Sequence, residues 1–203
     1  MLDIIDSIAA SSVIERLADA AGQGAHAMAR GAAGSSTSIV AAALARRTAR
    51  PVLLVVAHLD DADECEGELT ALGARVVRLP ALEALPGETA TAMDLFALRV
   101  RAIRAMMQLR EGDACVVVAP MPALMQGVHP PARLEHLCKR FERGQAFPQR
   151  TLIDWLSNLG YARREAIEEP GEFAVRGGIV DIFPPGASGD AGSPSLPVRL
   201  DFF

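Results

Sequence analysis

The sequence predicts an α/β protein, with a doubly wound, mostly parallel sheet followed by a smaller α+β domain. Three observations carry this. Residues 51–57 (PVLLVVA) and 114–119 (ACVVVA) are uninterrupted apolar runs of strand length, the composition of parallel strands buried on both faces. Stretches with helical spacing lie between them. Past residue 129 the pattern changes to short strands around one main helix.

Residues 8–20 show helical spacing, with Ile8, Val13, Leu17 and Ala20 partly on one side. Gly22 and Gly24 break the chain, and the apolar stretch 26–29 has the length of a short strand. Residues 38–47 are rich in Ala and helix-prone. After the strand at 51–57, Asp60 and Asp61 can cap a helix to about residue 72, with Glu64, Glu66 and Glu68 on a solvated face. A second strand covers 75–79. Residues 93–109 form a helix, with Leu95, Leu98, Ala102, Ala105, Met106 and Leu109 inside and Arg99, Arg101 and Arg104 outside. The strand at 114–119 completes a strand–helix–strand–helix–strand order. His129-Pro130-Pro131 then punctuates the chain, which divides it into domains at 1–128 and 129–203. The second domain is expected to hold helices near 131–138 and at 152–159, and antiparallel strands at 175–183 and 198–203. Residues 184–197, rich in Pro, Gly, Ser and Ala, are expected to be a flexible loop. The chain stops inside an apolar strand, Leu200-Asp201-Phe202-Phe203, so the second domain is expected to be truncated at its C-terminus and the chain to be a fragment.

Composition excludes several functions. With 203 residues and half of them apolar, one large or two small cores can form. No apolar run reaches the roughly 18 residues that span a bilayer, and Asp3 and Asp6 with no early base argue against a secretory signal. Cys65, Cys115 and Cys138 are odd in number and form no CxxC pair, as expected of reduced thiols in a cytoplasmic protein. His26, His58, His129 and His136 have no metal-ligand spacing. His58 ends a strand beside a helix cap, and the chain holds no Gly-x-Ser-x-Gly elbow to make it catalytic with Ser35 or Ser36. The net charge of −5 argues against a nucleic-acid binder over the whole chain, and one Trp with one Tyr makes no platform for stacking bases.

Residues 31–38 (GAAGSSTS) precede a helix and follow the strand expected at 26–29, the place of a phosphate loop in an α/β fold. Gly31 and Ser38 fit the first and last positions of Gly-x-x-x-x-Gly-Lys-Ser/Thr, and Gly34 lies between them. Ser36 stands where the second Gly belongs and Thr37 where the Lys belongs. A charged hydrogen bond of the missing kind contributes roughly 1.5–3 kcal/mol. The only lysine, Lys139, is about a hundred residues away. The loop is therefore read as degenerate, with a capped helix and a small-residue turn in its place, and no cofactor and no catalytic residue is expected.

The segment 168–186 (EEPGEFAVRGGIVDIFPPG) resembles a stretch shared by bacterial transcription-repair coupling factors and the excision-repair protein UvrB. Residues 197–203 (PVRLDFF) resemble the strand that follows it there. Residues 79–86 (LPALEALP) are similar to the coupling factors' own Pro-x-x-Glu-x-x-Pro stretch, departing from it at Leu82 and Gly87 where Trp and Tyr are common. With a degenerate loop and only about 13 residues between the strand ending at Leu79 and the helix at Met93, the coupling factors fit better than UvrB. The resemblance implies a UvrB-mimicking, non-catalytic adaptor whose second domain binds UvrA and brings it to stalled RNA polymerase in transcription-coupled nucleotide excision repair. RNA polymerase and DNA would be reached only through regions absent here, where the family's ATP-driven translocase also lies. An active P-loop nucleotidase or a UvrB-type helicase subunit is the alternative, which the missing lysine disfavours. The expected docking residues are Arg176, Phe173, Arg163, Arg164, Gly177 and Ile179, with a core role for Phe173 left equally open. On an alternating strand Phe173 and Val175 share one face and Ala174 and Arg176 the other, and Gly177-Gly178 re-aims the strand. Arg176 has the competing possibility of pairing with Asp181 or Glu172 in its own domain.

Overall fold

The structure is a computed structural model and describes residues 4–31, 34–82, 89–185 and 196–203. Two compact units emerge, one of Met1–Ala81 with Arg101–Gln126, the other of Leu82–Val100 with Gly127–Phe203. The chain is α/β throughout.

In the first unit, α1 (Ile4–Ala9), α2 (Ser12–Gly22) and α3 (Ser36–Thr48) precede β1 (Val52–Val56), α4 (Leu59–Ala71) and β2 (Arg75–Arg78). Helix α5 (Thr89–Gln108) leads to β3 (Cys115–Pro120) and the single turn α6 (Met121–Leu124). The three strands are parallel, in the order β1-β3-β2, with Val116 opposite Val52 on one side and Val76 on the other. Ala41, Ala42 and Ala45 of α3 pack with Ala62 and Leu69 of α4 against Val116 and Val118. The small alanine side chains let α3 approach the sheet closely. Asp61 accepts the backbone N–H of His58 at 3.1 Å and so closes the start of α4, but the N-cap position itself is taken by His58, which was expected beside the cap, rather than by Asp60 or Asp61.

Three expectations are corrected. Residues 26–29 form no strand; they are exposed and irregular, because His-Ala-Met-Ala lacks the β-branched side chains that favour a pleated surface. Strand β1 is covered on one face only: Leu53 is 52% and Val55 41% exposed, while Val52, Leu54 and Val56 pack on the core. Helix α5 turns a different stripe inward. Arg99 is only 3% exposed, beside buried Val100, Ala102 and Ile103, whereas Leu98 is exposed. A helix apolar on nearly every side has no clear stripe, so its rotation is set by what it packs against rather than by its own sequence.

The second unit contains α7 (Pro131–Leu137), α8 (Gln149–Asn158), β4 (Ala162–Arg164), β5 (Glu172–Arg176), β6 (Ile179–Phe183) and β7 (Val198–Asp201). The sheet runs β4-β5-β6-β7, with β4 parallel to β5 and the other pairs antiparallel. Leu152 and Leu156, one turn apart on α8, pack onto Phe173, Val180 and Ile182 on the inner sheet face. The loop expected over 184–197 lies largely outside the described residues, as do residues 83–88 of the Pro-x-x-Glu-x-x-Pro region. Among the described residues no helix is long and apolar enough to cross a membrane, and no His, Cys, Asp and Glu cluster could hold a metal.

A candidate docking face on the second sheet

The phosphate-loop region supplies no site of known geometry. Helix α3 starts at Ser36, close to where the motif predicts, but among the described residues no strand precedes it, and Ala32 and Ala33 fall outside them. Gly31 and Gly34 have positive φ (86° and 56°), as turn glycines. Ser35 occupies the cap position without a side-chain cap bond, Ser36 and Thr37 open the helix, and Ser38 is buried. The Ser35 and Ser38 hydroxyls hold the Glu68 carboxyl below the usual carboxylate range. Ser38 Oγ nevertheless has no partner at hydrogen-bonding geometry, so that influence is looser than a formed hydrogen bond.

The second sheet has a more definite surface. Its inner face is taken by the core, so residues alternating with Phe173, Val180 and Ile182 must face away. One row of paired positions crosses all four strands on that outer face: Arg164, Ala174, Asp181 and Arg199. The flanking row brings Arg176, Ile179 and Asp201 together. Arg199 donates to both Asp181 carboxylate oxygens, at 2.6 and 3.0 Å. Arg164 Nε donates to Glu172 Oε1 at 2.9 Å. Both arginines are mostly exposed, while the carboxylates beneath them are largely covered. The sheet thus offers guanidinium groups outward, seated on a layer of acids.

The acids are well anchored. Backbone N–H groups of Glu168 and Glu169 donate to Glu172 Oε2 at 2.9 and 3.1 Å. The Glu168 N–H, then Arg164 and then the Glu169 N–H hold the Glu172 carboxyl below its ordinary range. The Arg199 hydrogen bond does the same for Asp181. This explains much of the distinctive 168–186 segment. Glu172 ties down the turn before β5, and Gly171 sits at φ 88°, where an added Cβ would meet Met93 at 3.1 Å. Gly177 at φ 59° opens the two-residue turn of the β5–β6 hairpin, next to the Arg176–Ile179 pair.

The expected docking residues separate into two groups. Arg164, Arg176, Gly177 and Ile179 lie on this face or on the turn at its edge. Arg176 forms no salt bridge with Asp181 or Glu172 among the described residues, although after Arg199 its charge also helps to hold the Asp181 carboxyl low; its Nη2 donates to the Glu165 carbonyl oxygen at 2.7 Å, which steadies an exposed guanidinium. Phe173 is fully buried in the core, so it supports the face from beneath and makes no surface contact. Arg163 is opposite Phe173 in the register and so points to the other side of β4 from Arg164. Arg199 and Asp181 were missed as site residues. The alternation of Val198-Arg199-Leu200-Asp201 was the available signal, since it sets Arg199 and Asp201 together against two apolar residues.

The chain resembles proteins of known family. Residues 140–203 match the family model described as the UvrB interaction domain. The chain is 30% identical over 175 residues to the transcription-repair-coupling factor of Bacillus subtilis, covering 85% of the chain and 14% of that protein. It is 34% identical over 176 residues to the transcription-repair-coupling factor of Mycobacterium tuberculosis, covering 83% of the chain and 13% of that protein. Over 110 residues it is 34% identical to the UvrABC system protein B of Helicobacter hepaticus, covering 54% of the chain and 15% of that protein. The resemblance to transcription-repair coupling factors therefore holds across most of the chain, which spans only a small part of these relatives' length.

Proposed function

We propose that this chain is the UvrB-mimicking adaptor of a transcription-repair coupling factor, and that it docks UvrA through the outer face of the β4–β7 sheet. The observation that carries the reading is the gathering of Arg164, Arg176 and Arg199 on one exposed face within the region that matches the UvrB interaction domain. Planar guanidinium forks suit carboxylates on a partner, and arginines are enriched among the residues that dominate interfaces. The chain itself is non-catalytic and acts in the cytoplasm, delivering UvrA to stalled RNA polymerase in transcription-coupled nucleotide excision repair. The polymerase grip and the ATP-driven motor belong to parts of the full-length protein outside this chain.

Thr37 at the lysine position supports the absence of nucleotide use. Calorimetric titration with Mg-ATP should give no saturable signal; micromolar binding lost in Ser38→Ala would refute this. Titration of the purified chain with UvrA tests the docking reading. Saturable binding that weakens as salt rises is expected, and no binding at the highest soluble concentrations would sink it.

A further inference from the structure

Several exposed arginines in this protein are tied to an acid, as Arg46 is to Asp6, Arg47 to Glu15, Arg50 to Glu111 and Arg75 to Asp113. The segment 133–150 gathers cations that lack such partners. It carries Arg133, Lys139, Arg140, Arg143 and Arg150 against Glu135 and Glu142, a surplus of three positive charges in a chain of net charge −5. All five cations are exposed. Arg133, Arg143 and Arg150 have no ion-pair partner among the described residues. Arg140 has only a 3.6 Å pair with Glu142, the side chains being 89% and 72% exposed, and such a pair contributes little.

Lys139, Arg140 and Arg143 sit on the irregular loop between α7, which carries Arg133, and α8, which carries Arg150 in its first turn, and that loop is held in place. Lys139 Nζ lies 5.5 Å from the ring centroid of Phe147 and 5.4 Å from that of Trp155. Phe141 meets Phe147 edge-on with centroids 5.3 Å apart. Trp155 Nε1 donates to the His136 carbonyl oxygen at 2.9 Å. The Glu142 N–H donates to Gln145 Oε1, and the Gln145 N–H donates back to the Glu142 carbonyl oxygen, both at 3.1 Å. Cations that are already positioned lose less entropy when they bind.

We propose that this pinned loop and the first turn of α8 form a contact for the phosphate backbone of a nucleic acid. Arginine forks match phosphate oxygens, and the uncompensated local charge supplies the attraction that phosphate contacts require. The whole-chain charge hides this because the acids lie elsewhere. Helix α8 covers the inner face of the sheet, so a protein docked on the outer face leaves the basic loop open. The contact carries no base specificity, since the Trp155 and Phe147 rings are occupied by Lys139 rather than free to stack.

Fluorescence anisotropy with a short mixed-sequence DNA, duplex and single-stranded, tests the proposal at low and moderate salt. Binding should weaken as salt rises. The combined variant Arg140→Glu, Arg143→Glu, Arg150→Glu should weaken it at least tenfold and reduce the salt slope by about three, roughly one for each lost phosphate contact. The combined variant Arg46→Glu, Arg47→Glu, Arg50→Glu changes the net charge equally and should retain most of the binding. Arg143→Gln, a single neutralisation, covers the case in which the triple loop variant melts early. The proposal is overturned if the unaltered chain binds neither DNA at low salt, if both triple variants weaken binding equally, or if Arg143→Gln binds like the unaltered chain with an unchanged salt slope.

Discussion

At the residue scale, the candidate face separates side chains that act outward from those that hold the fold. Arg176 is exposed and, among the described residues, makes one hydrogen bond, to the Glu165 carbonyl oxygen. Arg176→Ala should lower UvrA affinity by roughly 30-fold or more, since truncating a paired interfacial arginine typically costs about 2–5 kcal/mol. Loss of the Glu165 bond should cost only about 1 kcal/mol of stability, a fall in Tm of about 2–4 °C for a chain this size. Affinity by calorimetry and Tm by circular dichroism separate the two effects, with Arg46→Ala, in the first unit, as a control. Unchanged affinity would move the docking face elsewhere; a much larger drop in Tm would make Arg176 structural. The acids beneath the arginines predict a pH dependence. Asp181 and Glu172 have folded pKa values below their ordinary 3.8 and 4.5. Their stabilisation is therefore fully present above those values and is lost as pH falls through the lower folded pKa values. Asp181→Asn should flatten the acid limb of a stability-versus-pH curve; a curve parallel to that of the unaltered chain would show that the Arg199 pair is not coupled to folding.

At the scale of elements, Phe173→Ala should give the opposite signature to Arg176→Ala. Emptying a fully buried aromatic site typically costs about 3–5 kcal/mol, so Tm and UvrA binding should fall together, and loss of binding with an unchanged Tm would place Phe173 on the surface after all. The two residues are three positions apart on one strand, and alternation alone put them on opposite faces. That much was legible because a strand with one covered face obeys a period of two. Alternation does not reveal which face is covered, so by sequence Phe173 fits either the core or the surface, and the packing of α8 on its side puts it in the core. Arg199 was invisible for a different reason. Its membership of the face depends on the β6–β7 register, which pairs it with Asp181 across the chain segment 184–197. Strands β1 and β3 were clear from their apolar runs. The strand expected at 26–29 was not real, because a few apolar residues between glycines carry too little information without β-branched side chains. The rotation of α5 was misread where Arg99 turned inward, a packing outcome that no single-helix pattern contains.

At the scale of the whole molecule, the exposed side of β1 affects behaviour in solution. Leu53 and Val55 project from β1, an edge strand, and both are substantially exposed. The Val56–Pro120 pair brings the end of β1 beside the start of α6, where Met121, Leu124 and Met125 are exposed as well. An apolar surface next to an unpaired strand edge is a template for association. The net charge of −5 opposes this by repulsion, and that opposition fades as pH approaches the isoelectric point near 5.4. Sedimentation velocity should therefore show the chain associating as concentration rises, more strongly at pH 5.5 than at pH 8 (about the span over which the repulsion changes). Leu53→Lys should suppress the association at both pH values, because a charge on an edge strand blocks further pairing. Its cost in stability should be small, since the side chain is already half in water and its neighbours Val52 and Leu54 keep their contacts with the core. A chain that remains monomeric at every concentration and both pH values would mean that this face is too small or too discontinuous to recruit a second copy. Association that persists unchanged in Leu53→Lys would shift attention to the methionines that follow β3.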